Sequence, residues 1–268
     1  MLDGVGRGEP AIGGQGQVLV PWPNRLRDGR YRFDGRELQL PLTEPEKGNA
    51  IHGLGRFVPW EVIEAAPDRA RLCLFVPPQP GYPFALEVEV EYHLDEHGLT
   101  VRKTARNVGD ADLPYGAGFH PYLTAGTSLI DDTLLQVEAA RRLITDDRGI
   151  PTGDTAGVAG TAYDFATQRP VGALRLDTAF GDLGRDPGGR ATVRLRAPDG
   201  AGTDLWLDEQ YAYVMLFTGD TLAEPGRRRR SLAVEPMTCA PDAFRSGDGV
   251  QRLSAGESFT CIWGIRSA

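Results

Sequence analysis

Short apolar runs separated by turn residues recur along the sequence, and this pattern restricts the chain to a fold built from many short strands. The 268 residues include 34 glycines and 20 prolines, and these fall between the apolar runs. Glycine and proline at such positions are typical of turns. Helical periodicity is nearly absent. We therefore predict an all-β fold, either a large antiparallel β-sandwich or a barrel.

Two turns are specific enough to predict hairpins. Asp34-Gly35 separates residues 31–33 from residues 37–40, which is a strong hairpin signal. Residues 88–92 alternate apolar and acidic side chains, and residues 95–98 then turn the chain into a strand at 99–101. Further strands are predicted at residues 18–20, 72–76, 192–195, 204–207, 213–217, 231–234 and 258–263. The candidates for short helices are residues 133–140 and 241–244.

Composition argues against several classes of protein. The formal net charge is -8 with a pI near 5.1, so nothing indicates binding to nucleic acid. The sequence has no run of about 18 apolar residues, so we expect no membrane association. Residues 1–14 are polar and glycine-rich, unlike a signal peptide. Cys73, Cys239 and Cys261 are widely spaced, so we expect free thiols in a cytoplasmic protein.

The domain organisation is predicted to be simple. A chain of 268 residues is long enough for one sizeable core, and large all-β domains often reach this size. No internal repeat or linker divides the sequence. We predict one domain over residues 1–268.

The four histidines fall into two classes by sequence context. Glycines lie close to His52 on both sides, which indicates a tight loop that approaches another group closely. Pro121 biases His120 towards an extended backbone. Either histidine is also explained as a hydrogen-bonded core residue. His93 and His97 flank a predicted hairpin turn, where their rings would not converge on a metal ion, so we predict no metal site.

Glu235 is the most unusual acidic residue, because it directly follows the apolar run at residues 231–234. Burial of a carboxylate is unfavourable without a partner, and it raises the pKa towards the range suited to a general base. A salt bridge to an arginine is the structural alternative. Asp177 alone resembles a turn aspartate. Arg25 lies beside an aromatic residue, a combination found in sugar sites, but this signal is also weak alone.

Six segments, in this order, resemble the aldose 1-epimerase (galactose mutarotase) family. They are PWPNR at residues 21–25, NAIHGL at 49–54, GFHPY at 118–122, LDTAF at 176–180, FTGD at 217–220 and VEPMT at 234–238. The resemblance runs from Gly16 almost to the C terminus. It implies a galactose mutarotase-like supersandwich, a large antiparallel β-sandwich with a sugar site on its concave face.

The resemblance also implies an activity and the residues that perform it. It implies interconversion of the α and β anomers of a free aldose without a metal or a cofactor, by a monomer or a homodimer. Glu235 is implied as general base and His120 as general acid. The residues implied to bind the sugar are Arg25, His52, Asp177 and Asn24.

The sequence departs from the family pattern in two places. Many members have a glutamine where Met215 falls, so one polar sugar contact is expected to be missing or replaced. Family members usually begin with additional strands that precede the first matching segment. Either the chain is truncated, its start was assigned late, or other elements cover the sheet edge that those strands would protect.

Three alternatives remain at the level of the sequence. A non-catalytic carbohydrate-binding module would use the same fold without needing Glu235 and His120. A hexose-phosphate 1-epimerase would grip phosphate with the arginines at residues 227–230, which otherwise resemble a solvated loop. A glycoside hydrolase would use two carboxylates, such as Glu235 and Asp177, and would leave the histidine without a role.

Overall fold

The strands of the protein assemble into two large antiparallel sheets. The computed structural model describes residues 2, 4, 6, 8, 9 and 11–268. The polar stretch at residues 1–14, considered above for a signal peptide, lies partly outside this described set. The all-β prediction is confirmed, and the sheets form the large antiparallel arrangement expected.

The strands follow one another closely along the chain. Within the described residues they are β1 (Val18–Leu19), β2 (Arg25–Arg27), β3 (Arg30–Phe33), β4 (Arg36–Gln39), β5 (Asn49–Ile51), β6 (Glu61–Ala65), β7 (Arg69–Val76), β8 (Leu86–Asp95), β9 (Gly98–Asn107), β10 (Leu113–Tyr115), β11 (Gly118–Phe119), β12 (Tyr122–Leu123), β13 (Leu134–Val137), β14 (Ala139–Thr145), β15 (Pro151–Gly157), β16 (Arg169–Pro170), β17 (Asp177–Leu183), β18 (Ala191–Arg196), β19 (Gly202–Leu207), β20 (Tyr213–Phe217), β21 (Leu232–Met237), β22 (Gln251–Leu253) and β23 (Ser258–Ser267). The helical elements are α1 (Ala243–Ser246) and 3-10 turns at Ile12–Gly14, Pro45–Lys47, Ile130–Asp132 and Pro225–Arg227.

The first sheet has the order β1-β11-β21-β20-β17-β14-β15, with β12 also paired to β21. The second has the order β16-β13-β18-β19-β23-β9-β8-β7-β6. Three small ribbons pair β2 with β5, β3 with β4 and β10 with β22. Because β21 and β17 lie one strand apart in the first sheet, residues far apart in sequence meet on its surface.

Apolar side chains of both sheets meet in one hydrophobic cluster. Val214 and Val234 of the first sheet and Val88 and Val101 of the second are fully buried in it. Burial of such side chains contributes about 1.5–3 kcal/mol each. On β8 the alternation is as predicted, since Glu89 points outwards and pairs with arginine on β7. This packing fixes the sheet positions on which the site is built.

Most local predictions are confirmed, and one is wrong. Asp34 and Gly35 have φ angles of 46° and 75° in the turn between β3 and β4. The hairpin of β8 and β9 turns after Asp95. Helix α1 overlaps the candidate at residues 241–244. The helix predicted near residues 133–140 is wrong, because Leu134–Val137 pairs with β16 on one side and β18 on the other.

Two predictions made from composition are also addressed by the structure. All three cysteines are free; Cys239 and Cys261 are buried, and Cys73 is partly exposed. Within the described part of the chain, no helix has the length and apolar character needed to cross a bilayer.

The turn after β5 depends on the absence of a side chain at Gly53. This residue has a φ of 75°, and a Cβ atom added there would lie 1.9 Å from the carbonyl oxygen of Val20. The same oxygen accepts hydrogen bonds from the backbone N–H groups of Leu54 and Gly55. The close approach holds the loop that carries His52 against the end of β1.

We predict that Gly53→Ala lowers the free energy of unfolding by about 2 kcal/mol or more, because the change adds both backbone strain and a clash with the main chain. Urea denaturation measures this loss. Gly226→Ala is the matched control, since a Cβ atom there meets nothing within 4 Å. Equal stability of the two variants would contradict the role given to Gly53.

Candidate active site

A polar cavity of about 430 Å³ brings together all six residues proposed from the sequence. They are Asn24, Arg25, His52, His120, Asp177 and Glu235. The cavity lies over β21, β20 and β17 of the first sheet and is walled by the ribbon of β2 and β5. Its volume is suited to a small polar molecule.

Glu235 and His120 form the buried centre of the site. Glu235 lies within β21, where every residue is buried, and is 2% exposed. His120 follows β11 and is 4% exposed. The Nε2 atom of His120 lies 3.2 Å from Oε1 of Glu235. Among the described residues, Oε2 of Glu235 has no hydrogen-bond partner although it is buried, so it is available to accept from a bound molecule.

Burial shifts the two pKa values of this pair in opposite directions. Desolvation, with a smaller contribution from the charge of Asp177, raises the pKa of Glu235 well above its usual range. Desolvation, with a smaller contribution from Arg56, lowers the pKa of His120 to about 3. Both shifts favour the neutral forms of the two groups, a carboxylic acid and an imidazole.

The imidazole of His120 is held on several sides. Tyr122 stacks on it with ring centroids 5.1 Å apart, and His52 meets it edge-on at 5.4 Å. Gly14 packs against its edge, because a Cβ atom at Gly14 would lie 2.8 Å from Cδ2 of His120. Its backbone N–H donates to the carbonyl of Gln17. These contacts fix the direction in which Nε2 points.

His52 is arranged as a hydrogen-bond donor. Its Nδ1 atom accepts a hydrogen bond of 3.1 Å from the backbone N–H of Asn24. Burial, and to a lesser degree the neighbouring His120, lowers the pKa of His52 well below its usual range. The ring is therefore neutral with its proton on Nε2, which can donate to a hydroxyl group.

Arg25 makes ion pairs with two carboxylates that line the cavity. Its Nε atom lies 2.9 Å from Oε2 of Glu44, and its Nη1 atom lies 3.7 Å from Oδ2 of Asp177. Asn49, from the facing strand β5, donates to the same Oε2 atom of Glu44 at 2.9 Å. This side of the site therefore presents one guanidinium and two carboxylates in fixed positions, a suitable arrangement for hydroxyl groups that both donate and accept.

Asn24 lines the cavity and also forms a hydrogen bond with the neighbouring backbone. Its Oδ1 atom accepts a hydrogen bond of 2.8 Å from the backbone N–H of Arg25. Its φ of 55° and its N–H bond to His52 place both neighbouring side chains at the cavity.

Three cavity residues were missed as site residues by sequence reasoning: Glu44, Arg56 and Phe217. Phe217 belongs to the FTGD segment, and Arg56 follows the NAIHGL segment closely. Their proximity to these family-like segments could have identified both as site residues. Glu44 precedes the turn Pro45–Lys47 and carried no signal, since its contact with Arg25 depends on tertiary structure.

Met215 lies directly opposite Glu235 on the neighbouring strand β20. It is buried in a small apolar cluster with Leu143, Ala179 and Met237. The departure from the family's glutamine therefore places apolar surface beside the carboxylate. Such surface strengthens the desolvation that raises the pKa of Glu235.

The arginines at residues 227–230 do not line the cavity. Arg229 is engaged by Asp131 and Asp220, at 2.7 and 3.0 Å. Arg228 donates to the carbonyl of Leu222. The arrangement gives no support to phosphate binding by this run at the site.

His52, His120 and Glu235 are also a possible set of metal ligands, with donor atoms within 4.8 Å of one another. This range includes the spacing of two ligands of one zinc ion, which lie at most about 4.4 Å apart. The absence of a metal requirement remains a prediction.

Known proteins are similar to this chain in sequence. The family described as "Aldose 1-epimerase" matches residues 9–264. The protein YihR of Escherichia coli K12, itself uncharacterized, is 34% identical over 251 residues, which cover 93% of this chain and 78% of YihR. Human galactose mutarotase is 32% identical over 164 residues, which cover 58% of this chain and 46% of that protein.

The fold is likewise similar to a solved structure. The GalM/aldose epimerase homologue from C. elegans has a TM-score of 0.87 at 18% identity, and the match covers 100% of this chain and 86% of that chain. Because the family match covers residues 9–264, nearly the whole length, this chain belongs to the aldose 1-epimerase family.

Proposed function

We propose that this protein is an aldose 1-epimerase that interconverts the α and β anomers of a free aldose. The proposal rests on one observation. At the base of a polar cavity, Nε2 of His120 lies 3.2 Å from Oε1 of Glu235. Mutarotation requires one group that removes a proton from the anomeric hydroxyl and one that protonates the ring oxygen. A carboxyl group and an imidazole held together supply these two functions.

The proposed cycle begins when a sugar is bound and the proton shared by the pair moves from Glu235 to His120. In the reactive form Glu235 is a carboxylate and His120 is an imidazolium. Glu235 takes the proton of the C1 hydroxyl while His120 gives its proton to the ring oxygen, and the bond between C1 and the ring oxygen breaks. The aldehyde rotates about the C1–C2 bond. The reverse transfers then close the ring on the other face of C1.

The opposite pKa shifts of the pair favour this chemistry. The raised pKa of Glu235 makes its carboxylate a stronger base, and the lowered pKa of His120 makes its imidazolium a stronger acid. After ring opening both groups are neutral, which is the state that burial favours. Only protons move in the reaction, so its chemistry requires neither a redox cofactor nor a metal.

Arg25, His52, Asp177 and Asn24 are proposed to orient the sugar. Arg25, Asp177 and His52 all line the cavity, so each can contact a hydroxyl group of the sugar. Phe217 lines the same cavity and offers an aromatic surface to the apolar C–H groups of a pyranose. Orientation of this kind supplies a large part of the rate enhancement of enzymes.

We predict that Glu235→Gln and His120→Asn each lower kcat by at least about a hundredfold, because each removes one of the two proton-transfer groups. One-dimensional NMR exchange between anomers measures the rate on a panel of free aldoses. Glu96→Gln and His97→Asn are matched controls, since these side chains are 87% and 84% exposed in a hairpin turn. Near wild-type turnover in either site variant would refute the assignment. Sugar binding without any anomer exchange in the wild type would instead indicate a carbohydrate-binding module.

We further predict that Asp177→Asn lowers the pKa of Glu235, because the charge of Asp177 is a secondary cause of its elevation after burial. Glu235 should then ionise at lower pH than in the wild type. Titration of ¹³C-labelled glutamate side chains by NMR measures the change. Asp182→Asn, at the exposed end of β17, is the control. An unchanged or increased pKa in Asp177→Asn would contradict the electrostatic account of the site.

A further inference from the structure

Arg56 differs from the other cations that line the cavity. Arg25 is paired with Glu44 and Asp177, and Lys47 lies 3.7 Å from Oε1 of Glu44. Within the described part of the chain, Arg56 has no carboxylate oxygen within ion-pairing distance. Its guanidinium donates instead to two neutral oxygens, Oε1 of Gln17 at 2.6 Å and the carbonyl of Ile51 at 3.4 Å. A half-buried guanidinium therefore lines the cavity without an ion pair to any described carboxylate.

The surroundings of Arg56 hold this charge in place. Its guanidinium lies over the ring of Phe57, 4.8 Å from the centroid. Gln17, which accepts from its Nε atom, also binds the backbone of His120 through its carbonyl oxygen. Ile51 directly precedes His52. Arg56 thus lies beside the two histidines of the cavity, and the charges of Glu44 and Glu235 also act on it.

The position of Arg56 near His120 can be related to the C6 substituent of a bound sugar. In the cycle proposed above, His120 protonates the ring oxygen. The ring oxygen of an aldohexose is bonded to C5, which carries the exocyclic C6. A group attached to C6 is therefore close to the atom addressed by His120, and Arg56 lies near His120.

We infer, on the basis of the proposed function, that the preferred substrate is an aldohexose bearing an oxyanion on C6, such as a carboxylate, a phosphate or a sulfate, and that Arg56 binds this anion. The planar guanidinium offers paired N–H groups that match the oxygen atoms of such anions. Its remaining N–H groups are not used by protein carboxylates, so the anion would supply the missing counter-charge.

The carboxylates of the cavity do not prevent an anion from binding to Arg56. Glu44 and Asp177 are compensated by Arg25. Burial favours the protonated form of Glu235 through its raised pKa. Glu46 is exposed to solvent, where its charge is screened.

The test compares anomer exchange of glucose and galactose with that of their uronic acids, 6-phosphates and 6-sulfates. At least one anionic sugar is expected to have a higher kcat/KM than its neutral parent. In Arg56→Gln this preference should fall by about tenfold or more, because a charge-assisted hydrogen bond is lost. The neutral parent should lose less activity than the anionic sugar, because it carries no anion for Arg56 to bind. Comparison of the uronic acids, the 6-phosphates and the 6-sulfates shows which oxyanion is bound.

Arg32→Gln is the charge-matched control, because Arg32 is 71% exposed and does not line the cavity. It should retain the preference for the anionic sugar. An equal loss for neutral and anionic sugars in Arg56→Gln would overturn the inference and make Arg56 a residue that positions His120. A neutral parent preferred over all its anionic derivatives would also overturn it.

Binding to Glu235→Gln, measured by calorimetry with the same sugars, separates this inference from the proposed function. Tighter binding of an anionic sugar than of its parent supports the anion site even without turnover. Absence of anomer exchange for every sugar in the wild type would refute the proposed function alone. Equal affinities for anionic and neutral sugars would refute the role of Arg56.

Discussion

The burial of one carboxyl group beside one imidazole is the interaction on which the rest of the site depends. Glu235 sits in the middle of a fully buried strand, and its Oε1 atom contacts His120 at 3.2 Å. An isolated buried carboxylate is strongly unfavourable, and a neutral acid next to a neutral imidazole avoids that penalty. The same desolvation makes the ionised forms of both groups reactive. Packing and reactivity at this site thus have a common physical origin.

The fold brings together residues from distant parts of the chain around this pair. The first sheet supplies Glu235 and Asp177 from β21 and β17, and the ribbon of β2 and β5 supplies Arg25 and the loop of His52. Glycines at positions 14 and 53 allow the backbone to approach His120 and Val20 more closely than any side chain would permit. The rigid sheet therefore carries the base, and the closely packed loops set the direction of the acid and the sugar ligands.

The sequence predicted the parts of this arrangement that depend on local chemistry. The Asp34-Gly35 turn and the alternation on β8 follow from short-range patterns, and both are found. Residues 134–137 are helix-forming in composition, but pairing with strands on both sides overrides that propensity. The six proposed site residues rested mainly on their position in family-like segments. Glu44 lies outside these segments and could not be identified from the sequence, because its contact with Arg25 arises only when β2 pairs with β5.

The most direct test of the account is the rate of anomer exchange in the double variant Glu235→Gln/His120→Asn, measured beside both single variants. If the two residues act as one proton-transfer unit, the double variant should be within about threefold of the slower single variant, since a unit already broken loses little more. If the losses in the two single variants multiply in the double variant, Glu235 and His120 act independently, and a shared acid–base pair at this site is contradicted.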